Sequence, residues 1–154
     1  MNNDVAVFAD VANLYYCIKQ RFNQKLMYST YLETAVGENN LFHAFAYSTQ
    51  DQRDAYKFGE ALRHGGFEPK FQCTLHSIQQ MALAMDVVRL VPRVGLIILG
   101  SSDPIFLPLI QWVREQGVRV VLFACGIPRE MREAANECRE IDAELLQGAI
   151  EIIT

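Results

Sequence analysis

The stretch that most constrains the fold is Val94–Gly126, VGLIILGSSDPIFLPLIQWVREQGVRVVLFACG. Gly95–Leu99 is a short apolar run bounded by Gly100. After Ser101, Ser102 and Asp103, apolar residues recur at helical spacing at Phe106, Leu109, Ile110 and Val113, until Gly117 stops the helix. Val118–Ala124 is a second apolar run. Strand, turn, helix and strand in so short a span predict a βαβ unit whose strands are parallel and buried on both faces. Asp103 then falls where a strand ends and a helix begins. In open α/β sheets that edge, outside the carboxyl ends of the strands, is where ligands bind.

The rest of the chain repeats the alternation. Val5–Ala9 predicts a buried strand ending in Asp10, and Asn13 is expected to cap a helix with Leu14, Cys17, Ile18 and Phe22 on its apolar face. Thr30 and Glu33 form a capping-box pattern opening a helix closed by Gly37. Leu41–Tyr47 predicts a strand, and Gln52–His64 an amphipathic helix stopped by Gly65 and Gly66. Phe67–Thr74 predicts a third strand, which Pro69 assigns to a sheet edge. Ser77 and Gln80 form a second capping box, opening a helix to about Leu90. After the βαβ unit, Pro128–Arg139 predicts a polar helix and Ala149–Thr154 a short final strand. These elements imply one three-layer α/β domain over 1–154, Rossmann-like, with a mostly parallel central sheet flanked by helices.

Composition narrows the function classes. Apolar residues make up 51% and charged residues 21%, as in a globular domain. No apolar run approaches the roughly 20 residues of a membrane-spanning helix. The opening MNNDVAVFAD has no basic segment before its apolar run, so we expect a cytoplasmic protein with no membrane partner. Cys17, Cys73, Cys125 and Cys138 are widely spaced and read as reduced thiols, and His43, His64 and His76 form no metal spacing. A net charge of −4 argues against nonspecific nucleic-acid binding by the whole surface. There is no G-x-G-x-x-G or P-loop glycine pattern for a nucleotide, and no G-x-S-x-G for a serine nucleophile.

Three carboxylates stand out. Asp10 and Asp103 each follow an apolar strand, and either could be a helix cap, a metal ligand or a general base. If the two strands are neighbours, the carboxylates converge, and a divalent cation would relieve their repulsion. Asp86 lies in the helix among Met81, Leu83, Ala84, Met85, Val87, Val88 and Leu90. It either pairs with Arg89 or Arg93 at the surface or joins the site. Three carboxylates suit Mg²⁺ or Mn²⁺, which take oxygen ligands and activate water for phosphodiester hydrolysis. Ser101 and Ser102 could add a hydroxyl or cap the next helix.

Together VFAD-VAN-L at Asp10 and Asn13, ALAMD at Asp86 and LGSSD at Asp103, with the closing FACGIPREMREAANECREID, resemble the NYN domains of the PIN-like nuclease superfamily, in the LabA-like branch. The likeness covers nearly the whole chain in order. It implies a Rossmann-like sheet and metal-dependent endoribonuclease activity, with single-stranded RNA as the expected partner; apart from the resemblance, exposed helices of the βαβ unit leave a homodimer open. The resemblance implies that Asp10, Asp86 and Asp103 are metal-site carboxylates and that Asn13 orients Asp10, a water or a phosphate. Ser101 and Gln80 stand where such domains often carry acids. The reduced set favours one metal over two, and leaves open a noncatalytic RNA- or protein-binding module. Arg53, Lys57, Arg129 and Arg132 are candidate phosphate contacts, though each could be a solvated charge. Tyr47, at a strand end, is the best placed tyrosine to stack on a base, with Tyr15 and Tyr16 as others, and core packing explains each equally well.

Overall fold

The computed structural model describes residues 2–49, 52–70 and 75–149, and the side chains among these except those of 52–56 and 148–149. Six strands form one parallel sheet. β1 (Asp4–Asp10), β3 (Asn40–Tyr47), β4 (Glu68–Lys70), β5 (Leu96–Gly100), β6 (Arg119–Ala124) and β7 (Glu137–Glu140) stand in the order β4-β3-β1-β5-β6-β7. Val5–Ala9 of β1 is completely buried, as its unbroken apolar sequence requires of a central strand covered on both faces. The helices α1 (Val11–Phe22), α2 (Tyr28–Val36), α3 (Gln52–His64), α4 (His76–Leu90), α5 (Leu107–Glu115) and α6 (Arg129–Ala134) flank the sheet. β2 (Gln24–Leu26) pairs antiparallel with β8 (Leu146–Ala149) in a separate two-stranded sheet.

The βαβ unit is as expected: β5 and β6 are parallel and adjacent, joined through α5. The order of the strands reverses at β1. The chain moves from β1 to β3 and β4 on one side, then crosses to β5, β6 and β7 on the other. Asp10 ends β1, and Ser101 follows β5 directly, so the turns after both strands open at the switch point of the sheet. Gly100 allows the close packing there. A Cβ at this position would lie 2.6 Å from the Tyr31 hydroxyl, which donates to the Phe123 carbonyl at 2.7 Å.

Several boundaries differ from expectation. Asp10, not Asn13, caps α1: its carboxylate accepts from the Asn13 N–H. Neither capping box operates. α2 begins at Tyr28 and α4 at His76, so Thr30 and Ser77 are already helical. Of the third expected strand, Glu68–Lys70 is present and pairs with β3 at the sheet edge that Pro69 indicates; 71–74 lie outside the described residues. The polar helix ends at Ala134, and Glu137–Glu140 forms β7 instead. Leu146–Ala149 forms β8, and 150–154 of the expected closing strand lie outside the described residues. No helix among the described residues is long and apolar enough to cross a membrane.

Candidate functional site

Asp10 and Asp103 are linked at the switch point through Ser101, which bonds the carboxylate of the first and the backbone of the second. Asp10 is 2% exposed and Ser101 is fully buried. The Ser101 hydroxyl donates to Asp10 Oδ2 at 3.0 Å and accepts from the Asp103 backbone N–H at 3.1 Å. Ser101 is thus a bridge between two strand ends, not a helix cap. Capping belongs to the acids: Asp10 accepts from the Asn13 N–H at 3.4 Å and Asp103 from the Ile105 N–H at 3.0 Å. The cap and site readings of these residues are therefore compatible, because a cap fixes the rotamer that the site needs.

Asn13 locks the second turn. Its side-chain oxygen accepts from the Ser102 N–H at 2.9 Å and from the Ser102 hydroxyl at 3.2 Å. This amide spans α1 and the turn after β5, so it positions the loop that carries Asp103. Ser102 likewise serves this lock and not a helix cap.

Two residues of α4 complete the cluster. His76 Nε2 stands 2.9 Å from Asp10 Oδ1, and Gln80 Nε2 donates to Asp103 Oδ2 at 2.6 Å. Residues four apart share a helix face, which explains why α4 can address both acids at once. Gln80 occupies a place where an acid was expected by resemblance, and it contacts Asp103 directly. His76 was missed because its role depends on how α4 docks. No spacing in the sequence connects it with Asp10.

Asp86 belongs to a different network. Its oxygens accept from the Tyr47 hydroxyl at 2.7 Å and from Arg89 at 2.9 Å, with Lys70 Nζ at 3.6 Å. The Arg89 pair foreseen in the sequence is present. Tyr47, which holds Asp86, is the register partner of Asp10 on β3. Among the described residues, no three of His, Cys, Asp and Glu gather as a group that could hold a metal ion. Burial, and then the hydrogen bond to Asp86, push the Tyr47 phenol well above its ordinary range, so it remains a donor. Tyr47 is buried and is a core residue, not a surface for a base.

The expected phosphate contacts are dispersed. Lys57 is exposed, and the Arg53 side chain lies outside the described residues. Arg129 pairs with Glu133 at 2.9 Å. Arg132 pairs with Glu140 and donates to the Ile127 carbonyl at 3.0 Å, which ties α6 to β7. Glu140 also accepts from the N–H groups of Gly126 and Ile127, so Arg132 has a structural task in this turn. Cys125 offers no nucleophile at neutral pH, since burial pushes its thiol up to about 12.

A cleft of about 510 Å³ opens beside the acids, lined in part by Asn13, Tyr16, Gln20, Thr49, His76 and Ser102. Its lining mixes polar and apolar side chains, and it is open to solvent.

Comparison with known proteins agrees with this architecture. A family model described as the NYN domain matches residues 4–142. The structure is similar to the crystal structure of a protein of unknown function from Vibrio parahaemolyticus, with a TM-score of 0.86 and 21% identity over 95% of this chain and 97% of the other. No curated protein is significantly similar to the chain.

Proposed function

The chain belongs to the NYN domain family, with its PIN-like nuclease fold, and from that premise we propose that it is a divalent-metal-dependent endoribonuclease acting on single-stranded RNA. The observation that carries the reading is the Asp10–Ser101–Asp103 bridge at the switch point. Nucleases of this family are generally dependent on divalent metals. The donor set fits one loosely held cation. Mg²⁺ is commonly bound through one or two carboxylates, with waters and substrate phosphate oxygens completing the shell. Each carboxylate has about four lone-pair sites. Among the described residues, Asp103 receives one hydrogen bond on each oxygen, so it keeps capacity for a cation. The set does not fit a closed cage of three or more protein ligands.

In this reading Asp10 and Asp103 hold Mg²⁺ or Mn²⁺, which when bound supplies charge stabilisation and an activated water. Ser101 fixes Asp10 Oδ2, and Asn13 fixes the turn of Asp103. His76 holds a proton at Nε2 against Asp10 Oδ1 on the cleft side. Asp86 is engaged by Tyr47, Arg89 and Lys70 and stays out of the ligand set.

One observation favours a second reading, a noncatalytic RNA-binding module. Gln80 places an amide N–H on Asp103 at 2.6 Å, where an acid would strengthen a metal site. The test is end-labelled single-stranded RNA incubated with Mn²⁺, Mg²⁺ or EDTA, with products and complexes resolved together. The ribonuclease reading predicts cleavage that needs metal and is lost in Asp103→Asn. Bound but intact RNA under every condition would establish the second reading in its place.

A further inference from the structure

One aromatic residue beside the site is strongly exposed. Tyr16 is 67% exposed, whereas Tyr31 and Tyr47 are buried. It lines the same cleft as Asn13, Ser102 and His76. On α1, Asn13, Tyr16, Cys17 and Gln20 follow the i, i+3, i+4, i+7 pattern and share one face. That face begins at the locked turn of Asp103 and runs outward along the helix. Tyr15 braces the ring: the two centroids are 5.3 Å apart with planes at 81°, an edge-to-face contact. Lys19 Nζ lies over the Tyr15 ring, 5.8 Å from its centroid. An aromatic ring so exposed has little packing of its own to preserve, and the brace limits the freedom that it would lose on binding a ligand.

We propose that Tyr16 is a stacking platform for one unpaired nucleobase of the RNA, adjacent to the phosphate at Asp10 and Asp103. The inference rests on the RNA reading above and adds a subsite to it. Stacking uses the π-face that every base has, so the subsite tolerates sequence. Gln20 and Thr49, which also line the cleft, offer donors and acceptors to the base edge. A duplex hides its base faces, so the platform selects single strands.

Fluorescence anisotropy with labelled single-stranded RNA in Mg²⁺ tests this, using the full chain, with Asp103→Asn as an uncleaving background beside the wild type. Tyr16→Ala is expected to weaken binding about 5- to 150-fold, the range of one base–aromatic stack. Tyr16→Phe should keep most of the affinity, since it keeps the ring. A strand of the same length lacking its bases should bind both forms equally weakly. Equal binding of intact RNA by Tyr16→Ala and the wild type would overturn the platform and leave the ribonuclease reading standing. Loss in Tyr16→Phe as large as in Tyr16→Ala would also overturn it, because the hydroxyl and not the ring would then matter. No binding of any RNA by the wild type would overturn platform and RNA reading together. Cleavage of RNA by the wild type is scored separately, so a failure of catalysis is not mistaken for a failure of stacking.

Discussion

At the residue scale, the site replaces charge with hydrogen bonds. Ser101 holds Asp10 and the Asp103 backbone in one arrangement without adding a third carboxylate. Gln80 does the same on the other side of Asp103. Neutral donors stabilise two neighbouring acids in the absence of a cation, whereas a further carboxylate would repel them. Gln80→Asp should therefore reverse the balance. We expect Mn²⁺ to bind this variant about 10- to 100-fold more tightly than the wild type, the range over which residues around a ligand shell act. In EDTA the same variant should melt at a lower temperature, and Mn²⁺ should restore it. Calorimetric titration and thermal melts check both. Unchanged metal affinity would mean that Gln80 does not border the cation.

At the scale of elements, α4 joins the site to the core. Its inward face carries Leu83 and Val87, completely buried, while Ile78, Met81, Met85 and Val88 are exposed on the outside. Its site-facing residues, His76 and Gln80, depend on that docking. Leu83→Ala should cost about 2–5 kcal/mol of stability, as a large-to-small change in a packed core does. Met81→Lys, on the outer face, should stay within about 0.5 kcal/mol. Denaturant unfolding of the two variants reads this difference directly, and equal losses would place α4 differently on the sheet.

How much of this was legible in the sequence varied with the element. The central strands were legible because burial on both faces leaves a continuous apolar run, as in Val5–Ala9 and Val120–Ala124. β7 was not. Glu137–Glu140 is an edge strand of alternating acid, thiol and base with no apolar run, and its sequence continues the polar pattern of α6. Asp10 and Asp103 were legible as candidates because each follows such a run, but that their strands are neighbours was not. The partners that fix them, His76 and Gln80, come from a helix whose docking no local pattern encodes. Asp86 stood out in the sequence for its apolar neighbours, yet its charge is met by Tyr47, Arg89 and Lys70 from other parts of the fold.

For the whole molecule, topology does what composition does not. The net charge of −4 gives no general attraction for nucleic acid. The strand order instead sets β1 and β5 side by side, so that the turns after them neighbour each other. The central claim is that Asp10 and Asp103 form one cation site there and that Asp86 stands outside it. Electron paramagnetic resonance of Mn²⁺ titrated into the protein measures this most directly. The account predicts one bound ion in the wild type, released by Asp10→Asn and by Asp103→Asn and retained by Asp86→Asn. Mn²⁺ that stays free with the wild type, or that binds the Asp10 and Asp103 variants as well as it binds the wild type, would contradict it.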